Sequence, residues 1–305
     1  MNNLTNPLRL IVGFSVASAS DDIAHLIAPP LAAQLKRDVV IERIAGESGT
    51  RGAEAVARAV ANDNNCNTLF VATLGTHALA PHARANLSYH AIHDFTPVSL
   101  LTQSPMLLAC HLSLPVRDVT EFITHAKAHP GTLAYGTSAI GGAPHLAAEL
   151  FQSVTGVALK HARYDDTRTL YADLEAGRIA LSFNNVMSML PRCASGALRA
   201  LGVTAATRCA AAPDVPTLAE LGIAGCEMSN WIGLVAPRGT PAATVDAISR
   251  AAAVVIQSDD VATRLNAAGI TPCGSTPAEF ADYIASELKR WGPVVKKLAP
   301  QTVCR

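Results

Sequence analysis

The stretch Leu8-Arg9-Leu10-Ile11-Val12-Gly13-Phe14-Ser15-Val16-Ala17-Ser18-Ala19-Ser20-Asp21 decides the fold. An apolar run, Leu8–Val12, leads into a small polar loop, Phe14–Ser20. From Asp21 the apolar positions Ile23, Leu26, Ile27 and Leu31 recur at helical spacing, with Ser20-Asp21 able to cap. The same order returns twice. Val39–Ile41 precedes the glycine-rich loop Gly46–Gly52 and a helix from Ala53, and Thr132–Tyr135 precedes Gly136–Ala143 and a helix from Pro144. In an α/β sheet such loops lie at the carboxyl edge of the strands, where ligands bind. Each also presents backbone N–H groups at a helix N-terminus, a place that suits an anion and a carboxylate in particular.

Outward from these stretches the alternation continues. Thr68–Thr73 reads as a buried parallel strand followed by Leu74-Gly75-Thr76-His77 and a short helix, which argues for a doubly wound parallel sheet. Pro29-Pro30 is expected to kink the first helix, or to end and restart it. The register changes around Phe95–Leu101, Leu107–His111 is a strand, and Val119–His129 is a helix closed by Pro130-Gly131. Ala158–Ala162, Thr167–Ala176, Ile179–Phe183 and Leu198–Val203 complete a second α/β set. The tail carries helices over Pro241–Gln257, Val261–Ala268 and Pro277–Leu298 but only the strand Gly233–Val235, too few strands for a domain of its own. The expectation is an α/β, two-lobe architecture: 1–100 plus 229–305 as the first lobe, 101–228 as the second, and a ligand cleft between them.

Composition narrows the function. Lys+Arg and Asp+Glu both number 24 and form no block of like charge, which disfavours a nucleic-acid partner. The seven cysteines, at 66, 110, 193, 209, 226, 273 and 304, include no C-x-x-C pair and read as reduced thiols. Met1–Pro7 carries no basic segment followed by an apolar run, so the sequence as it stands reads as cytoplasmic, or as one given without a leader.

The chemistry-bearing motifs each have a plain reading. Gly136-Thr137-Ser138-Ala139-Ile140-Gly141 approaches a nucleophile elbow, but its second glycine falls one position late for G-x-S-x-G. Ser138 is therefore a ligand-facing hydroxyl rather than a nucleophile. Gly46, Gly49 and Gly52 do not make G-x-G-x-x-G and instead mark positive φ and close backbone approach. The pairs His77/His82, His90/His93 and His125/His129 lack a third ligand, so neither a metal nor a cofactor is expected. Asp165-Asp166 beside Arg163 and Arg168 is either an acid/base centre or a solvated helix start. In the second case Asp166 caps the following helix and His145 lies against a helix face.

These residues resemble the Bug family, the periplasmic substrate-binding proteins of tripartite tricarboxylate transporters. The likeness is carried, in the family's order, by Pro7–Val12, Gly52–Ala59, Gly75-Thr76-His77, Asp94–Ser99, His145–Phe151, Ala212–Thr217, Trp231–Leu234 and Gly274–Phe280. It implies the two-lobe periplasmic-binding-protein fold closing on a small carboxylate through backbone N–H groups, hydroxyls and waters. Carried over by position, the contacts would come from Phe14, Ser15, Ala17, Ser18, Ser20, Thr73 and Thr76 on one lobe. Ser138, Gly142, Ala143, His145, Arg163, Tyr164, Asp165 and Asn184 would supply the other. The chain departs from the family where its aromatic-Pro-Pro-Gly-Gly loop becomes Phe14-Ser15-Val16-Ala17-Ser18, and where Pro-Tyr-Lys-Gly becomes Arg163-Tyr164-Asp165-Asp166. Phe-Asp-Asn likewise becomes Phe183-Asn184-Asn185. Asn184 thus removes a charge suited to an ammonium group, and Arg163, if it faces the cleft, adds a bidentate carboxylate partner. The resulting expectation is a monomeric, non-catalytic binder of a di- or tricarboxylate or an aromatic acid, serving a membrane transporter or a sensor. A cytosolic isomerase or hydrolase on the same scaffold is the competing reading.

Overall fold

The computed structural model describes residues 6–16, 18–59, 67–138 and 141–302, with side chains through 297. In chain order the elements are β1 (Leu8–Val12), α1 (Ala19–Leu35), β2 (Val39–Arg43), α2 (Thr50–Ala59), β3 (Thr68–Thr73), α3 (Ala80–Ala83) and β4 (Phe95–His111). Next come α4 (Val119–Ala128), β5 (Ala134–Thr137), α5 (Ala143–Thr155), β6 (Lys160–Arg163), α6 (Thr167–Glu175), β7 (Leu181–Asn185), α7 (Val186–Ala194) and β8 (Leu198–Val203). The chain ends with β9 (Ser229–Pro237), α8 (Ala242–Ile256), α9 (Asp259–Ala267), β10 (Thr271–Pro272) and α10 (Pro277–Thr302).

The molecule divides into two compact units. One holds Met1–Gln103, Trp231–Arg264 and Thr271–Arg305; the other holds Ser104–Asn230 and Leu265–Ile270. The short 265–270 segment, which the sequence placed with the first lobe, groups with the second unit. Its Gly269 lies against Val186 and Cys209, and the Cys209 thiol points at the Gly269 carbonyl.

In the first unit β1 pairs in parallel with β2 (Leu10↔Ile41) and with β3 (Leu10↔Leu69), while β3 meets β9 antiparallel (Phe70↔Val235). The sheet is therefore mixed rather than wholly parallel, because β9 runs against β3. Leu8, Leu10, Ile11 and Val12 are all buried, as are Ile23, Ile27 and Leu31 of the stripe that helical spacing predicted for α1; Leu26 of that stripe is only partly buried, and Ala24 is buried in addition. Pro29 and Pro30 lie inside an uninterrupted α1. The i→i−4 bonds they delete are those to the His25 and Leu26 carbonyls, and packing of the apolar stripe carries the helix through the gap.

The second unit has its own core. β5 pairs in parallel with β6 (Tyr135↔His161) and β7 (Tyr135↔Leu181), and β4 runs antiparallel to β7 (Leu108↔Phe183) and β8 (Cys110↔Arg199). Phe122, Phe151 and Phe183 are fully buried, with ring centroids 6.2 and 5.5 Å apart in sequence order. Burying such a side chain stabilises the fold by roughly 1.5–3 kcal/mol. The register change read at Phe95–Leu101 is absent: β4 is one strand of 17 residues, almost all buried, giving its first part to one unit and its second to the other. Cys110, Cys193, Cys209, Cys226 and Cys273 are free thiols; Cys66 and Cys304 lie outside the described residues.

Candidate functional site

In the first unit, the loops that leave β1, β2 and β3 come together at the carboxyl ends of those parallel strands. Bare backbone brings them into contact. A Cβ on Gly13 would sit 2.7 Å from the Gly49 carbonyl oxygen, and one on Gly52 would sit 2.9 Å from Gly13 Cα. Gly49 has φ +91°, and a Cβ there would meet the Phe14 ring at 2.7 Å and Thr76 Cγ2 at 2.9 Å. Phe14 and Thr76, both expected at the site, thus flank a glycine that must be bare. Ser15 is exposed at the loop tip, and Ala17 lies outside the described residues.

The hydroxyls expected to face a ligand have internal partners. Ser18 is the N-cap of α1, its Oγ accepting from the Asp21 N–H at 3.3 Å and lying 3.3 Å from the buried Ser20 Oγ. Thr76 Oγ1 accepts from the Thr73 N–H (3.0 Å) and donates to the Thr73 carbonyl (3.2 Å), while the Thr76 N–H donates to Thr73 Oγ1 (3.3 Å). This closed turn is braced from behind by Tyr89, whose OH donates to the Thr76 carbonyl, and by His77, whose Nδ1 is 3.0 Å from Thr76 Oγ1. His77 is buried among Phe70, Tyr89 and Phe95; burial pushes its pKa down to about 3, so the ring is neutral.

In the second unit, the loops after β5, β6 and β7 occupy the same topological position. Ser138 Oγ lies 3.3 Å from Thr167 Oγ1, and the Tyr164 N–H donates to the Thr137 carbonyl, joining the first two loops. Gly142 is the N-cap of α5 without a side-chain cap, so the helix opens on backbone alone, with Ala143 buried beside it. Asn184 is buried at the end of β7, its Oδ1 accepting from the Asn185 N–H at 3.0 Å.

Four of the expected ligand side chains have other surroundings. His145 is buried, accepting the Gly141 N–H at Nδ1 (3.2 Å), with the ring of His161 tilted against it. Tyr164 donates its OH to Asp173 at 2.7 Å, and burial together with that bond pushes its pKa up to about 12. Asp165 is 96% exposed and Arg163 67% exposed, 4.0 Å from one another. Asp166 caps α6 by accepting the Thr169 N–H and hydroxyl, both at 2.8 Å, which hold its carboxyl below the ordinary range. Among the described residues no group of three or more His, Cys, Asp or Glu could hold a metal, and no helix is long and apolar enough to cross a membrane.

The polar backing of the β5 loop went unread in the sequence. Tyr135 donates to Glu149 (2.5 Å), Gln152 donates to the same oxygen (3.0 Å), and His161 Nε2 lies 2.7 Å from Thr137 Oγ1. The available signal was spacing: His145 and Glu149 fall four apart on one helix face, and Tyr135 and Thr137 alternate on one strand face.

What these loops share is an α/β scaffold whose helix starts offer backbone donors, with little free charge beside them; that is the make-up of a solute-binding receptor. The chain belongs to the tripartite tricarboxylate transporter family of receptors, whose model matches residues 23–299. That family is one of substrate-binding receptors rather than enzymes. It is 31% identical to protein BugT of Bordetella pertussis, over 95% of this chain and 89% of that protein. Its structure is similar to an adipate-bound protein of R. palustris, Rpa4515 (TM-score 0.90, 34% identity, 96% and 97% of the two chains). MatC of Rhodopseudomonas palustris with bound malate is also similar (TM-score 0.87, 30% identity, 95% and 98%). The periplasmic binding protein BugD, at 24% identity and TM-score 0.89 over 96% and 97%, shares the two-lobe α/β fold.

Proposed function

We propose that this chain binds a small organic acid bearing at least two carboxylates and presents it to a membrane transporter or a sensor. The observation that carries the reading is the opening of α5 on Gly142 and Ala143, where a buried helix start has backbone donors and no capping side chain. In the first unit, taken by itself, the turn Thr73–Thr76 is fixed by its own hydrogen bonds, and pre-set groups lower the ordering cost of binding. The adipate and malate bound by the two similar proteins support a dicarboxylate of four to six carbons. Arg163 and Asp165 are mutually paired and exposed, so the charge of the acid is met chiefly by backbone dipoles.

Thermal-shift measurements with malate, adipate, citrate and benzoate test the proposal. A ligand present at 100 times its dissociation constant adds about 2.7 kcal/mol of stability. At least one dicarboxylate is expected to raise the melting temperature by several degrees. No shift with any of the four, from a protein that unfolds cooperatively, contradicts the reading.

A further inference from the structure

His145 accepts a hydrogen bond from the Gly141 N–H at Nδ1, 3.2 Å away. A main-chain N–H only donates, so Nδ1 must be bare and the proton must sit on Nε2, on the side of Glu149 (3.9 Å). The ring is held in this state from every side. Tyr135 of β5 stacks on it at 6.4 Å and donates its OH to Glu149, while the ring of His161 of β6 lies tilted against it at 4.7 Å and reaches Thr137. Arg163, also on β6, acts on His161, and Glu149 of α5 opposes it; Lys160, at the far end of the strand, is exposed. Nothing in this arrangement puts His145 in the place of a ligand contact.

We propose that His145 is a positioning residue for solute binding: by fixing the Gly141 N–H it sets the direction of the backbone N–H groups that open α5. The inference rests on the carboxylate-binding reading above and adds the residue that aims the donors. A protonated imidazole cannot accept, so binding has an acid limb that belongs to His145. Burial and the neighbouring His161 push its pKa down to about 4, and the limb falls between pH 4 and 5.

Two variants separate this from a general packing role. Asparagine places an acceptor oxygen near the position of Nδ1 and does not titrate; leucine fills the space without an acceptor. With malate, adipate, citrate and benzoate as probes, His145→Leu should weaken the best binder roughly tenfold or more at pH 7. His145→Asn should recover most of that loss and should lack the acid limb that remains in the wild type. Because the probe acid titrates identically in both proteins, the difference between the two pH profiles is the readout. Long-range proton–nitrogen correlation spectra of the free protein at pH 7 should show Nδ1 of His145 unprotonated.

Equal losses in the Asn and Leu variants, or identical acid limbs in wild type and Asn, would overturn the positioning role while leaving the receptor reading intact. A protonated Nδ1 at pH 7 would overturn it without any ligand. Failure of the folded wild type to bind any probe overturns the receptor reading, and the positioning role with it.

Discussion

In the first unit the loop after β1 rests on bare backbone, with Gly13 and Gly49 so close that a single Cβ between them would lie 2.7 Å from a carbonyl oxygen. In the second unit the loop after β5 is tied by a histidine that accepts a main-chain N–H. Both loops lie at the carboxyl ends of parallel strands and open a helix, yet one is set by volume and the other by a proton. A histidine stands behind each. His77 meets the hydroxyl of Thr76, which can donate or accept, whereas His145 meets an N–H, which can only donate. The second contact fixes one tautomer of its ring. The two loops should therefore fail under different insults.

The largest expected effect is that of acid. The folded pKa values of His77 and His145 are depressed to about 3 and about 4, from 6.5 in the unfolded chain. The unfolded state therefore binds protons first as pH falls. Stability from these rings is complete above pH 6.5 and is lost as pH drops through 4 and on to 3, by on the order of several kcal/mol in total. Carboxylates titrate in the same interval, so the clean measurement is a difference. His145→Asn should lose less stability than wild type between pH 6.5 and 4 in urea titrations, and parallel curves would contradict the assignment.

Next in size is Gly13→Ala, which strikes the volume-set loop. The added methyl group meets backbone that cannot move aside, and a destabilisation of roughly 3 kcal/mol is expected from chemical denaturation. A change under 1 kcal/mol would mean that the loops yield easily and that the contrast between the units is weaker than drawn. Smaller again is Tyr135→Phe, which takes a 2.5 Å donor from the part-buried Glu149. A loss of about 1–2 kcal/mol should appear, with the first unit's amide-exchange protection unchanged. The smallest effect belongs to Asp165→Asn: at 96% exposure the side chain should alter the melting temperature by no more than about 1 °C.

The first unit was the more legible of the two. Its strands alternate with helices whose apolar stripes repeat at helical spacing, and its glycines announced a close approach at Gly49 and Gly52, although Gly13 passed unread. The unbroken α1 across Pro29-Pro30 and the 17-residue β4 were not legible, because burial rather than local preference holds them together. In the second unit the β5 loop could be located from its glycines, but the network that holds it could not. Tyr135 and His161 become neighbours only through strand register, and a register is not written in either strand alone. His145 illustrates the limit: its position beside the loop was readable, its hydrogen bond to the Gly141 N–H was not, since a histidine four residues from a glutamate fits several roles. Likewise the internal hydrogen bonds of Ser18, Thr73 and Thr76 depend on turn geometry that residue type leaves open.

The account turns on whether backbone at the start of α5 takes the acid. Gly142 has φ −84°, which any residue adopts, so Gly142→Leu places a side chain over those donors without straining the backbone. Calorimetric titration of wild type and Gly142→Leu with malate and adipate is the most direct measurement. The prediction is saturable binding of at least one acid by the wild type, and a loss of tenfold or more in a variant that still unfolds cooperatively. Equal affinity in the two proteins would contradict it.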